Sequence, residues 1–148
     1  MILLDANVLI YSINSSTPQY APSLAVIDAA AKSRVSITLV PQVLMEFLAV
    51  TTNARRVVEP IDLPTAWRQI QRFRANFTVL NLEPAALDLL GLLLQSNSRS
   101  GQRVYDLFLV AQMQTHGITQ ICTYNTRDFA GIPSIEALTP EQVLATLA

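Results

Sequence analysis

Four acidic side chains in this chain stand where the local pattern favours an apolar one. Asp5 breaks the run Met1-Ile-Leu-Leu-Asp-Ala-Asn-Val-Leu-Ile10, and Glu46 sits inside Val43-Leu-Met-Glu-Phe-Leu48. Asp106 lies between Val104-Tyr105 and Leu107-Phe-Leu-Val110, and Asp128 precedes Phe129. Gathered in one place, such carboxylates repel one another, and a buried unpaired one takes up a proton rather than stay charged. A divalent cation removes that conflict. Oxygen ligands without histidine or cysteine suit Mg²⁺ or Mn²⁺ and disfavour zinc. A hydrated Mg²⁺ held by a few carboxylates activates water and clamps a phosphodiester, which is metal-assisted phosphoryl hydrolysis. Asn7 and Thr123 are neutral side chains suited to orienting those ligands or a water.

Each acid also has an ordinary explanation by itself. Asp5 caps a turn after a strand, and Glu46 is a solvated position on a helix whose apolar stripe lies elsewhere. Asp106 is a helix N-terminal acid favoured by the macrodipole, and Asp128 is a turn residue. What sets the four apart is that the predicted elements place them all on one edge.

Those elements alternate between strand and helix. The opening apolar run reads as a strand covered on both faces, with Asp5 where it ends. Ser12 to Gln19 reads as a loop, and Pro22 as the start of a helix carrying Leu24, Ile27 and Ala31. Ser36 to Val40 is a second strand. Pro41 opens a helix to about Asn53, with Val43, Phe47 and Val50 on one stripe. Pro60 and Pro64 bracket a connection, after which Thr65 to about Asn76 is helical, with Trp67 and Phe73 expected in the core. Phe77 to Leu80 is a third strand. Glu83-Pro84 starts a helix that is apolar nearly all round to Leu94, so it is expected deep in the fold or at an interface. Ser96 to Gly101 is a loop, and a helix from Val104 ends at Gly117, with His116 as a C-terminal cap contact. Ile118 to Thr123 is a fourth strand containing a core Cys122, Tyr124 to Phe129 a turn, and Ser134-Ile135 a short edge strand. Thr139 caps a last helix, with Pro140 at its first position and Gln142 closing a capping box. Such alternation predicts an α/β fold with a central parallel sheet, whose strand carboxyl ends are where ligands bind.

The 148 residues suffice for one domain with a substantial core, and neither a repeat nor a boundary is visible. Mean hydropathy is +0.34, yet the longest apolar stretch, Ala85 to Leu94, is interrupted by Asp88 and Gly91 and falls short of a membrane span. No signal peptide is evident at the start, and the lone cysteine excludes an intrachain disulfide, so a cytoplasmic location is expected. A net charge of −1 argues against nucleic-acid binding on its face. Setting aside the four candidate ligands, however, leaves seven acids against ten basic residues, nine of them arginine. Arg99 and Arg103, flanking the start of the Asp106 helix, are placed to meet a phosphate. Arg55, Arg56, Arg68, Arg72 and Arg74 form either a second basic patch or a solvated face.

Leu3-Leu-Asp-Ala-Asn-Val-Leu-Ile10, the mid-chain Glu46, Ser100-Gly-Gln-Arg-Val-Tyr-Asp106-Leu-Phe-Leu-Val-Ala111 and Cys122-Thr-Tyr-Asn-Thr-Arg-Asp-Phe129 together resemble a PIN domain, and more narrowly the VapC toxins of bacterial type II toxin–antitoxin pairs. The resemblance runs in order over almost the whole chain, 1–148. It implies a three-layer α/β/α fold and a Mg²⁺- or Mn²⁺-dependent endoribonuclease, usually a homodimer, neutralised by a small antitoxin. Carried across, Asp5, Glu46 and Asp106 become the metal-binding and catalytic acids. The fourth acidic position falls on Asn125, with Asp128 three residues later, so one firmly held ion is expected. Two other readings stay open. A non-catalytic RNA-binding or scaffold PIN domain keeps the fold without the chemistry. A HAD-like phosphatase needs a second aspartate two residues after the first, where this chain has Asn7.

Overall fold

The computed structural model describes residues 1–97, 101 and 103–148. Five strands form one sheet: β1 (Ile2–Leu4), β2 (Ile37–Leu39), β3 (Thr78–Val79), β4 (Gln120–Cys122) and β5 (Glu136–Leu138). They lie in the order β3-β2-β1-β4-β5, every neighbouring pair parallel. The helices that flank the sheet are α1 (Ala6–Tyr11), α2 (Tyr20–Ala31), α3 (Pro41–Thr51), α4 (Leu63–Asn76), α5 (Ala85–Ser96), α6 (Arg103–Thr115), α7 (Thr126–Phe129) and α8 (Pro140–Ala145). This is the α/β layering that the strand–helix alternation predicts. β1, β2 and the end of β4 are fully buried, the pattern of strands covered on both faces. Leu3, Leu4, Leu39 and Ile121 lie at the centre of the core, joined by Phe47 of α3, Leu107 and Met113 of α6, and Phe129.

The chain builds outward from β1 to β3, then returns to lay β4 on the other side of β1. The sheet therefore changes direction between β1 and β4, and their carboxyl ends open the crevice where such folds hold ligands.

Several elements differ from the sequence expectation. Val8, Leu9 and Ile10, left without an element beyond the end of the first strand, belong to α1, a helix too short for its period to show in the sequence. Helix α2 begins at Tyr20, ahead of Pro22. Asp62 accepts a hydrogen bond from the Thr65 amide, so α4 starts at Leu63 and absorbs Pro64 into its first turn, where proline's missing N–H is harmless. The buried stripe of α4 is Ala66, Ile70 and Phe73; Trp67 lies off it and is 46% exposed. Tyr124 to Phe129 is not all turn, since its last four residues form α7. The last strand starts at Glu136, because Ser134 adopts a left-handed φ of 65° that no strand tolerates. His116 reaches away from its own helix: its Nε2 meets the Asn81 carbonyl at 2.9 Å and ties the end of α6 to the segment ahead of α5. The α8 capping box is formed as expected.

Candidate active site

Parallel register builds the centre of the site. Leu4 pairs with Cys122, and the Asp5 amide donates to the Cys122 carbonyl at 3.0 Å, extending the ladder by one step. Asp5 and Thr123 are thereby made neighbours across 118 residues of chain. The Thr123 hydroxyl donates to Asp5 Oδ2 at 2.7 Å, and Asn7 Nδ2 donates to the same oxygen at 2.9 Å. The Ala6 amide donates to Asp5 Oδ1 at 2.7 Å, which makes Asp5 the N-cap of α1. Asn7 is fixed in turn: its Nδ2 reaches Thr123 Oγ1 at 3.0 Å, and its Oδ1 accepts from the Tyr124 amide at 3.2 Å. The Asn125 amide closes the network on Thr123 Oγ1 at 2.9 Å.

Asp5 is 8% exposed. Burial is the main reason that its carboxyl is pushed up to about 6, with the negative charges of Glu46 and Asp128 adding to it and the Thr123 and Ala6 donors opposing. Glu46, in the second turn of α3, keeps contact with solvent. Desolvation and then the charge of Asp106 nevertheless hold it above the ordinary glutamate range, with Arg56 pulling it back. Asp106 stands in the first turn of α6 and Asp128 in that of α7. Arg103 approaches Asp128 at 3.6 Å. Asn125 is the residue before α7, its side chain exposed and not engaged in capping.

The four acids thus occupy one electrostatic neighbourhood, Asp106 acting on Glu46 and both Glu46 and Asp128 acting on Asp5. Among the described residues no three His, Cys, Asp or Glu side chains are drawn into a ready-made ion cage; mutual repulsion opposes any closer approach. Their donor chemistry still fits a hard divalent cation: carboxylate oxygens only, with one buried carboxylate whose ionisation is costly unless a positive charge offsets it. Arg99 lies outside the described residues. Of the second arginine group, Arg56 belongs with the site through Glu46, whereas Arg68 bonds Thr65 on the outer face of α4.

Two residues of this region escape the sequence reading. Gln112 of α6 is 2% exposed and donates from Nε2 to Gln42 Oε1 of α3 at 2.7 Å. Gln42 Nε2 donates onward to the Tyr105 carbonyl at 3.0 Å. A polar residue within Leu107-Phe-Leu-Val-Ala-Gln-Met113 is the same kind of signal that marks the acids.

A parallel sheet with a buried aspartate and its hydroxyl and amide donors at the point where strand order reverses places the chain among α/β proteins with an acidic site at the strand carboxyl ends. Residues 2–134 match the PIN domain family, and the chain belongs to it. Ribonuclease VapC24 of Mycobacterium tuberculosis is 27% identical over 130 residues, a match spanning 87% of this chain and 89% of that protein. In fold, the chain is similar to VapBC2 from Rickettsia felis, whose structure is bound to a DNA fragment from its promoter (TM-score 0.68, 19% identity, 94% of this chain and 98% of that one). It is also similar to VapC20 of M. tuberculosis, a sarcin–ricin loop cleaving toxin (TM-score 0.65, 14% identity, 89% and 95%).

Proposed function

We propose that this PIN domain is a metal-dependent endoribonuclease, the toxin half of a type II toxin–antitoxin pair, acting on RNA in the cytoplasm. The observation that carries the reading is Asp5, a buried carboxylate kept at the β1–β4 crevice by three donors. Asp5, Glu46 and Asp106 are the residues that would hold Mg²⁺, or Mn²⁺, with Asn125 or Asp128 completing the set. When bound, the ion supplies a water acidic enough to ionise near neutral pH and a clamp for the phosphate oxygens.

The chain's own groups do the rest. Thr123 and Asn7 donate to Asp5 Oδ2 and so favour its ionised, ligating form. Glu46 is raised too, by desolvation and then by the charge of Asp106, so a cation between these carboxylates would relieve both effects. Arg103 is 60% exposed and only 3.6 Å from Asp128, loosely enough paired to turn toward a phosphate. The phosphatase alternative is disfavoured because Asn7, standing where that chemistry needs an acid, donates onto the would-be nucleophile Asp5.

The solved relatives that are VapBC assemblies support an antitoxin as protein partner. A homodimer is supported by α5, where Leu87 and Leu92 are 64% and 60% exposed, which favours the interface over the deep burial that its sequence also allowed. The deciding experiment is cleavage of RNA by purified protein with Mg²⁺, with and without chelator, for wild type and Asp5→Asn. Metal-dependent cleavage that the variant loses while keeping its fold is expected. Cleavage retained by Asp5→Asn, or insensitive to chelator, refutes the mechanism, and a folded wild type that never cuts RNA favours the scaffold reading.

A further inference from the structure

Glu46 and Asp106 belong to helices that pack mainly on other partners. Helix α3 lies chiefly against α1 and α4, and α6 against α5 and α7. Two carboxylates brought together repel one another. The distance between these two helices at the site depends on what joins them directly. Among the described residues, a pair of glutamines makes a direct polar link from one to the other.

We infer that Gln112 and Gln42 are positioning residues that set the spacing of Asp106 and Glu46, and through it the affinity for the divalent ion; this inference rests on the nuclease reading above. Gln42 lies one turn before Glu46 on α3, at the i, i+4 spacing that shares a face. Its Nε2 holds the Tyr105 carbonyl, which is the oxygen of the very peptide that leads into Asp106. Gln112 orients Gln42 by donating to its Oε1, so the amide of Gln42 can only present Nε2 to Tyr105. The second proton-bearing direction of Gln112 Nε2 falls near the Phe108 carbonyl of its own helix, at 3.4 Å. A buried amide that merely filled space would be a poor choice beside methionine or leucine, because an unmet polar group costs more than an apolar one. A chain of two amides ending on the peptide of a ligand has the character of the outer contacts that orient metal-binding side chains, whose loss weakens binding by about 10- to 100-fold.

The test uses Gln112→Met and Gln42→Met, which keep length and volume but remove the amide. Gln42 is only half-buried, so its variant serves should Gln112→Met fail to fold. Three readouts are taken: Mn²⁺ affinity by calorimetry, kcat and KM for RNA cleavage, and the ¹⁵N shift of the Asp106 amide in metal-free protein, which responds to hydrogen bonding at the Tyr105 carbonyl. Expected are Mn²⁺ binding about 10- to 100-fold weaker in each variant, a lower kcat at unchanged KM, and an Asp106 shift that moves in both. The double variant is expected to lose no more than the worse single one, as members of one relay do. Wild-type Mn²⁺ affinity in a folded variant overturns the inference, and so does an Asp106 signal that moves for Gln42→Met alone. A wild type that neither binds Mn²⁺ nor cleaves RNA defeats the nuclease reading itself, and the inference with it.

Discussion

Burying the Asp5 carboxyl costs the fold stability, and the cost has a definite pH signature. Its carboxyl lies at about 6 in the folded chain against an ordinary 3.8. Between these values the folded protein holds a proton that the unfolded chain has released, so stability falls as pH rises. Below about pH 4 both states are protonated and the penalty vanishes; above about pH 6 it is complete. Two pKa units at 1.36 kcal/mol each give about 3 kcal/mol, or a Tm lower by roughly 6 to 12 °C for a domain of this size. Glu46 shifts in the same direction, so the Asp5 share is isolated by comparison with Asp5→Asn, which cannot titrate. In chelator, the wild-type Tm is expected to fall relative to the variant between pH 4 and pH 6.5, then to run parallel with it. Saturating Mn²⁺ at pH 7 is expected to restore the wild type, by about 2.7 kcal/mol at a hundredfold excess over Kd, and to leave the variant nearly unmoved. Melting temperatures of the two proteins that stay a constant distance apart from pH 4 to pH 7 would refute the account of Asp5 as a desolvated carboxylate.

Three other perturbations bear on the same site. Thr123→Val removes a donor that lowers the Asp5 carboxyl, so its pKa is expected to rise further and Mn²⁺ binding, followed by calorimetry, to weaken most below pH 7 and recover in alkali. Arg103→Gln breaks an exposed pair worth less than about 1 kcal/mol, so Tm should hardly move, while anisotropy titrations should give weaker RNA binding with a shallower salt dependence; an unchanged salt slope would exclude Arg103 from the RNA path. Leu92→Glu on the exposed face of α5 is expected to turn a dimer into a monomer in sedimentation equilibrium while leaving the circular dichroism spectrum unchanged, and a monomeric wild type would dispose of that interface.

The sequence by itself determined the succession of the strands and longer helices and the burial of β1, and it singled out four acids by their apolar surroundings. It could do so because these rest on local facts: uninterrupted apolar runs, proline at helix starts, and a charged residue where none is expected. It also carried the capping box at Thr139, whose geometry is complete within four residues. It left the stretch after Asp5 unassigned because six residues hold less than two helical turns, too few for a period of 3.6 to separate from a period of 2.

Only the tertiary structure decided what surrounds those residues. That Thr123 rather than some other hydroxyl donates to Asp5 follows from the register of β1 on β4, an agreement between segments more than a hundred residues apart. The two glutamines acquired a meaning only when α3 met α6, and Trp67 lost its expected place in the core because the packed stripe of α4 runs through Ala66, Ile70 and Phe73. Local chemistry names the groups a site is made from, whereas long-range packing fixes their distances and their exposure to water, and on those depend a carboxylate's charge and its reach.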